Sequence, residues 1–383
     1  MPLIDILGGL FNSSALKVLM VGGRRCGKTS ALAVMFDQLI KGKANEFFTV
    51  ADTTVIETKG FETQDTLTSK TTGLKLFLEK PTTKTFLVDS KPTNYDWKYT
   101  CKLTLPGTTK RLEIEFTDVP GEWFRSGTKD DEINQYVAAN DVFVVMVDTP
   151  YLMEESEAMC DAVNCISDIH NALTNINDEN GTKAKMVVFV PIKCEKWIKE
   201  GRIKEVVDKL KSAYRVPIQA LSAYQKMTIC VLPIETAGNI LFREFKDAYL
   251  LNGDLEKDRC CQLSEKLVRM ADGRTRPLRT NDQLNPDLNA MMGTLGIMRP
   301  YAWYYANNKS ETPGYAPRNC DQLALHILKF YVQKFQNENA WPNWMGRLGF
   351  ITKEEMLKKM ADINAANIIK NNTEGIEYLK KAF

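Results

Sequence analysis

Residues Met20–Ser30 read MVGGRRCGKTS, with three glycines, Gly22 and Gly27 five positions apart among them, ahead of a lysine and a hydroxyl residue. Gly22, Gly27, Lys28 and Thr29 satisfy the spacing G-x-x-x-x-G-K-[ST] of a phosphate-binding loop. Glycines let successive backbone N–H groups turn inward on an anion, the following helix offers its positive N-terminus, and the lysine reaches the β- and γ-phosphates. Gly23, Arg24, Arg25, Cys26 and Ser30 complete the candidate cradle, and Thr29 is the candidate hydroxyl ligand for Mg²⁺. The flanks agree with this reading. Leu16–Val21 is a short apolar run, and Ala31, Val34, Met35 and Leu39 recur at helical spacing, so the order is strand, tight loop, helix. A glycine turn with a lysine on its surface, the bland alternative, gives no reason for that placement.

The rest of the chain supplies a sheet for such a loop. Trp97, Tyr99, Cys101, Leu103 and Leu105 alternate with Lys98, Thr100, Lys102 and Thr104, while Leu112, Ile114 and Phe116 alternate with Arg111, Glu113 and Glu115. Period two over both stretches, with PGTT between them, predicts an antiparallel hairpin ending at Asp118. Val142–Val147, Met186–Val190 and the shorter Thr228–Leu232 are continuous apolar runs, as in parallel strands covered on both faces. Met159, Val163, Ile166, Ile169, Leu173 and Ile176 predict a helix between two of them. The fold class is therefore α/β: a P-loop NTPase three-layer fold whose mainly parallel sheet carries one antiparallel hairpin strand, with a helical C-terminal tail.

We place the main domain at 13–337, with insertions at about 42–95 and 239–296, and a helical extension at 338–383. The charged stretch after residue 251 predicts a helix and then a loop, and Leu323–Phe335 predicts a last helical layer. In the extension, Thr352 and Glu355 form a capping box ahead of Met356, Leu357 and Met360.

Bulk composition narrows the function classes. Fifty Lys and Arg against 48 Asp and Glu give a net charge of +2, which is no footprint of a dedicated nucleic-acid binder. Lys266, Arg269, Arg274, Arg276 and Arg279 read as a solvated basic loop. Nine cysteines without a CxxC pair, and only two histidines, predict reduced thiols in a cytoplasmic protein and no zinc site. His326 reads as a satisfied core-edge residue and His170 as lying on a helix flank. No apolar run reaches the roughly 18 residues that cross a bilayer, so no transmembrane segment is expected. Met1–Phe11 reads as an arm packed on the core.

A second motif separates the classes of phosphate-loop protein. Asp118-Val119-Pro120-Gly121 is a D-x-x-G placed after an apolar strand, where the aspartate holds Mg²⁺ through water and the Gly121 N–H meets the γ-phosphate. With these two motifs the sequence resembles the translation-factor-like (TRAFAC) class of P-loop GTPases. Within that class it looks like the bacterial double-GTPase and TRAF-associated GTPase families, whose members tend to show D-x-P-G-E here, as in Asp118–Glu122. They also tend to carry a proline-and-tryptophan segment near the domain end, as in MRPYAWYY at 298–305.

The resemblance implies a GTP-binding and GTP-hydrolysing, Mg²⁺-dependent molecular switch that cycles between GTP and GDP. It also implies a protein effector, dimerisation of two copies through the nucleotide face, and a role in bacterial signalling or defence. Glu122 falls where many relatives place the glutamine that orients the attacking water; a glutamate there can accept the water's proton, yet its charge faces the γ-phosphate. Arg25 falls where guanylate-binding proteins place an internal arginine finger, a device worth roughly 10³–10⁵ in rate. Arg24 stands where a small residue is usual. The other reading has both arginines pointing to solvent.

Base recognition departs from the class pattern. In place of [NT]-K-x-D the chain has Ile192-Lys193-Cys194-Glu195. Lys193 fits and Glu195 keeps an acid one methylene longer, which favours guanine over adenine, but Ile192 has no amide to offer. Glu235–Gly238, ETAG, resembles the motif whose backbone N–H groups, here Thr236 and Ala237, meet guanine O6; an ordinary strand-end loop is the alternative. Thr53, Thr54 and Thr93 are candidates for the Mg²⁺-capping switch threonine. Two other functions stay open from sequence: a nucleotide-binding scaffold with weak turnover, and a P-loop ATPase or kinase.

Overall fold

The computed structural model of the 383-residue chain describes residues 15–23, 26–51, 55–57, 86–87, 96–104, 106, 108, 111–126, 129–174, 176, 183–246, 248–250, 260–261, 267–269, 275–277, 301–306, 315–338 and 352–383. The N-terminal arm, Arg24, Arg25, Thr53, Thr54, Thr93 and most of both expected insertions lie outside them.

The chain opens with β1 (Ala15–Val21), α1 (Lys28–Lys41), the short β2 (Thr49–Ala51) and the hairpin β3 (Trp97–Thr104) and β4 (Arg111–Asp118). Then come α2 (Asp130–Ala139), β5 (Val142–Asp148), α3 (Thr149–Glu154), α4 (Glu157–Asn164), α5 (Ile166–Thr174) and β6 (Lys185–Ile192). After these follow α6 (Glu195–Lys199), α7 (Ile203–Ala213), α8 (Arg215–Ser222) and β7 (Met227–Val231). The remainder adds β8 (Ile240–Lys246), β9 (Tyr301–Ala306), α9 (Cys320–Glu338), α10 (Lys353–Ala365) and β10 (Glu377–Lys380).

Hydrogen bonding orders the main sheet β10-β7-β6-β5-β1-β4-β3-β2, with Val55–Glu57 as a ninth strand on β3. The β1, β4, β5, β6 and β7 pairs are parallel, and β3 joins β4 in the antiparallel hairpin read from the sequence. Antiparallel pairing goes beyond that one strand, since β2 and Val55–Glu57 pair with β3 and β10 pairs with β7.

Every residue of β5 and β6 is buried, which is why both read as unbroken apolar runs rather than alternating ones. The pleat still sorts them. Val144, Met146, Val188 and Val190 pack with α1, α9 and α10, while Phe143, Val145, Val147, Val187 and Phe189 pack with α5, α7 and α8. Helices on both faces of one sheet make the three layers.

Two expectations need correction. The helix expected over Met159–Ile176 is two helices, because Cys165 takes a left-handed conformation (φ 53°) between α4 and α5. Asn164 turns inward there: its Oδ1 accepts the Asp148 N–H at 2.6 Å, and Asp161 Oδ1 accepts the Ser167 N–H at 2.8 Å to restart the helix. The charged stretch read as helix and loop includes instead the short strands Leu267–Arg269 and Thr275–Pro277, paired antiparallel.

The last residues return to the sheet. The capping box at Thr352 and Glu355 forms as read, and α10 puts Met356, Met360 and Ile363 into the core. His326 on α9 is fully buried; its ring nitrogens contact the Tyr378 hydroxyl at 2.6 Å and the Lys370 carbonyl at 2.9 Å. Burial lowers its pKa to about 4, so it is the satisfied neutral residue expected. Seven of the nine cysteines are buried free thiols, and among the described residues no helix is long and apolar enough to cross a membrane.

Candidate functional site

The candidate site lies at the carboxyl ends of the parallel strands, where open α/β sheets bind ligands. β1 ends at Val21, and the chain turns through Gly22, Gly23, Cys26 and Gly27 (φ 105°) into α1. A Cβ on Gly23 would stand 1.9 Å from the Val163 carbonyl oxygen, so only glycine fits against the α4–α5 break. The Lys28 ammonium folds back on the loop and donates to the carbonyls of Gly22 (3.1 Å) and Gly23 (3.3 Å). Cys26 is buried at the loop's base, and desolvation raises its pKa against the opposing pull of Lys28 and Lys193, which keeps it a thiol. Ser30 follows Thr29 in the first turn of α1.

Met20 of β1 is the register partner of Asp118 at the end of β4. This pairing brings the two motifs together: the Thr29 hydroxyl donates to Asp118 Oδ2 at 2.6 Å across 89 residues of sequence. Asp118 is only 1% exposed. A hydroxyl and a carboxylate are hard oxygen donors, and Mg²⁺ usually takes one or two such protein ligands beside waters and phosphate oxygens. Among the described residues no cluster of three or more His, Cys, Asp or Glu offers an all-protein cage. The pair therefore fits Mg²⁺ held jointly with a phosphate.

Gly121 is buried in the turn after Asp118, and Glu122 is half-buried beside it. The turn closes through the Trp123 N–H, which donates to the Pro120 carbonyl at 3.1 Å. Phe124 enters the core and Trp123 packs against it, with the Lys129 ammonium 5.5 Å from the Trp123 ring centre. Their use is packing.

The base motifs meet differently from the sequence reading. Ile192 ends β6 where the class has an amide, and a Cβ on Gly27 would stand 3.0 Å from its Cδ1. Lys193 (φ 61°) donates to Asp148 Oδ2 at 2.6 Å. Cys194 is buried, its thiol donating to the Ile234 carbonyl at 3.1 Å. Glu195 Oε1 accepts the N–H groups of Thr236 (3.1 Å) and Ala237 (3.3 Å). The acid and the two donors expected to read a base thus stand together, bonded to each other. Desolvation raises the Glu195 pKa, opposed by these backbone N–H groups.

Sequence reasoning missed four participants. Asp148 ends an apolar parallel strand as Asp118 does, and that strand-end position was the available signal. Glu235 is buried beside Glu195; desolvation first, and that neighbouring charge second, raise its pKa to about 7. Arg318 Nε lies 3.4 Å from Glu235 Oε2. Gln38 of α1 donates to the Pro317 carbonyl at 2.7 Å and accepts the N–H groups of Cys320 (2.8 Å) and Asp321 (3.1 Å), capping α9 from another helix. Nothing local in the sequence marks Arg318 or Gln38, and Glu235 is marked only as the first residue of the ETAG motif.

Comparison with known proteins now decides the family. The family model described as Double-GTPase 2 matches residues 18–236, more than half of the chain. The chain belongs to the Double-GTPase 2 family. Among solved structures this family member is similar to the S. cerevisiae Ski7 GTPase-like domain bound to GTP, at 14% identity and a TM-score of 0.37. The same domain bound to GDP and inorganic phosphate matches at 15% identity and a TM-score of 0.34. Each match covers 61% of this chain and 45% of the Ski7 chain, so this Double-GTPase 2 member spans under half the length of those neighbours. No curated protein matches the sequence.

Proposed function

We propose that the protein binds GTP with Mg²⁺ and hydrolyses it to GDP and phosphate, acting as a molecular switch. The observation that carries this reading is the 2.6 Å approach of the Thr29 hydroxyl to Asp118, which unites two phosphate-site motifs beside the Lys28 ammonium. Membership of a family named for GTPases supports the choice of nucleotide.

In this reading Lys28 releases the Gly22 and Gly23 carbonyls to neutralise the β- and γ-phosphates, and the loop N–H groups, Cys26 to Ser30 among them, orient the tail. Thr29 and Asp118 would hold Mg²⁺, which would supply charge neutralisation on the phosphate oxygens. The Gly121 N–H senses the γ-phosphate, and Glu122 orients the attacking water or takes its proton. Arg25 stabilises charge on the transferred phosphoryl group, with Arg24 beside it. A cytoplasmic location, a protein effector that reads the GTP form, and pairing of two copies across the nucleotide face complete the proposal; bacterial signalling or defence is its proposed setting.

Multiple-turnover phosphate release from GTP with Mg²⁺ tests it. Wild type turns over, Lys28→Ala does not, and Arg25→Ala is slowed about tenfold or more. Equal, negligible release from wild type and Lys28→Ala, with no GTP bound by either, sinks the proposal.

A further inference from the structure

Reading the edge of guanine asks two opposite things of a site: N–H donors for the 6-oxo group, and a carboxylate for the N1–H and the 2-amine. Glu195, Thr236 and Ala237 are the groups the motifs offer for that task, and in this fold both donors are taken up by one oxygen of the acid, Oε1. Glu195 is 3% exposed at the first turn of α6. Its Oε1 takes the Thr236 and Ala237 N–H groups at 3.1 and 3.3 Å. Hydrogen bonds to an ionised acceptor are roughly twice as strong as those between neutral groups. A neutral carbonyl on a base is therefore a poor replacement for the carboxylate on these donors.

The loop is also fixed from its far side. Glu235 and Arg318 exchange both backbone hydrogen bonds at 2.9 Å, and the Ala316 N–H donates to the Ala237 carbonyl at 3.2 Å. Gly238 (φ 75°) is so close to this segment that a Cβ on it would stand 1.8 Å from the Ala316 oxygen. Gln38 ties the same segment to α1. Opening the turn to release Glu195 would disturb all of these contacts.

We infer that Glu195 is a positioning residue, a resident anion that organises the 236–238 turn, and that the site accepts purine nucleoside triphosphates with little discrimination at the 2- and 6-positions. Affinity then resides at the phosphate end. This deepens the nucleotide-binding reading above and rests on it.

Calorimetric affinities for GTP, ITP and ATP with Mg²⁺ test the inference, because ITP lacks the 2-amine and ATP exchanges the 6-oxo group for an amine. For wild type the three fall within about fivefold of one another, well under the roughly 10⁴-fold rejection that a site built to hydrogen-bond a substrate group imposes. Glu195→Ala and Glu195→Gln loosen the turn and weaken all three by a common factor, leaving their ratios unchanged. GTP binding about thirtyfold tighter than ITP or ATP, with that preference lost in Glu195→Gln, overturns the inference while leaving the GTP-binding reading intact. Binding of none of the three overturns both.

Discussion

The two ends of the candidate nucleotide site are built in opposite ways. At the phosphate end, one contiguous loop and one neighbouring strand bring Lys28, Thr29 and Asp118 together, and their chemistry can be read off the spacing. At the base end, the turn at Thr236 and Ala237 is held by Glu195 from one side and by Arg318 and Ala316 from the other, with Gln38 bracing the start of α9. The first end also bonds within itself, Lys28 to the Gly22 and Gly23 carbonyls and Thr29 to Asp118, but through single side-chain bonds rather than a braced backbone turn. The second spends its polar groups on its own backbone, which teaches that a motif can keep its residue types while its hydrogen bonds are used internally.

The largest test of this contrast is at the phosphate end. Thr29→Ala removes the hydroxyl bonded to Asp118, a proposed Mg²⁺ ligand, and is expected to cut phosphate release by about a hundredfold or more while leaving the melting temperature close to wild type. A loss of less than threefold would mean that the Thr29–Asp118 pair is structural.

At the base end the expected effect is on stability and depends on pH. Glu235 has a folded pKa of about 7, above its ordinary 4.5, through desolvation and the charge of Glu195, with Arg318 and Lys199 opposing and Glu374 adding to the rise. A raised carboxyl pKa contributes stability that is complete below about 4.5 and lost as pH climbs through about 7. Glu235→Gln should then be more stable than wild type by about 2 kcal/mol at pH 8, after allowing for the lost Arg318 pair, and lose that advantage near pH 5. Urea melts at the two pH values give the answer; the same difference at both would refute the coupling.

A smaller effect is expected from Gln38→Ala, which strips the cap from α9 and releases the Pro317 carbonyl. It should cost roughly 1.5 kcal/mol and weaken nucleotide binding less than Thr29→Ala does. The smallest belongs to Thr352→Ala, which breaks a capping box remote from both ends and should cost about 1 kcal/mol with nucleotide affinity unchanged. A change in affinity there would show that α10 is coupled to the site.

Legibility followed the range of the interactions. The hairpin, the buried parallel strands, the phosphate loop and the Thr352 cap are encoded in patterns a few residues long, and each appears in the fold. The break at Cys165 was hidden, because the apolar stripe runs on in sequence while Asn164 turns inward to Asp148. The edge strand β10 was equally hidden. It depends on His326 and Gln322 of α9 holding the chain at Lys370, contacts that no local pattern announces. The roles of Glu235 and Arg318 fail for the same reason, since burial of an acid is a property of its neighbours.

The helix break at Cys165 has a consequence for how the loop should be probed. With the Val163 carbonyl lodged against Gly23, the curve of the cradle is cast by a mould that lies on another part of the chain. An alanine at Gly23 would therefore report damage to the mould as much as loss of a ligand, and a chain silenced that way would say little about what the cradle carries.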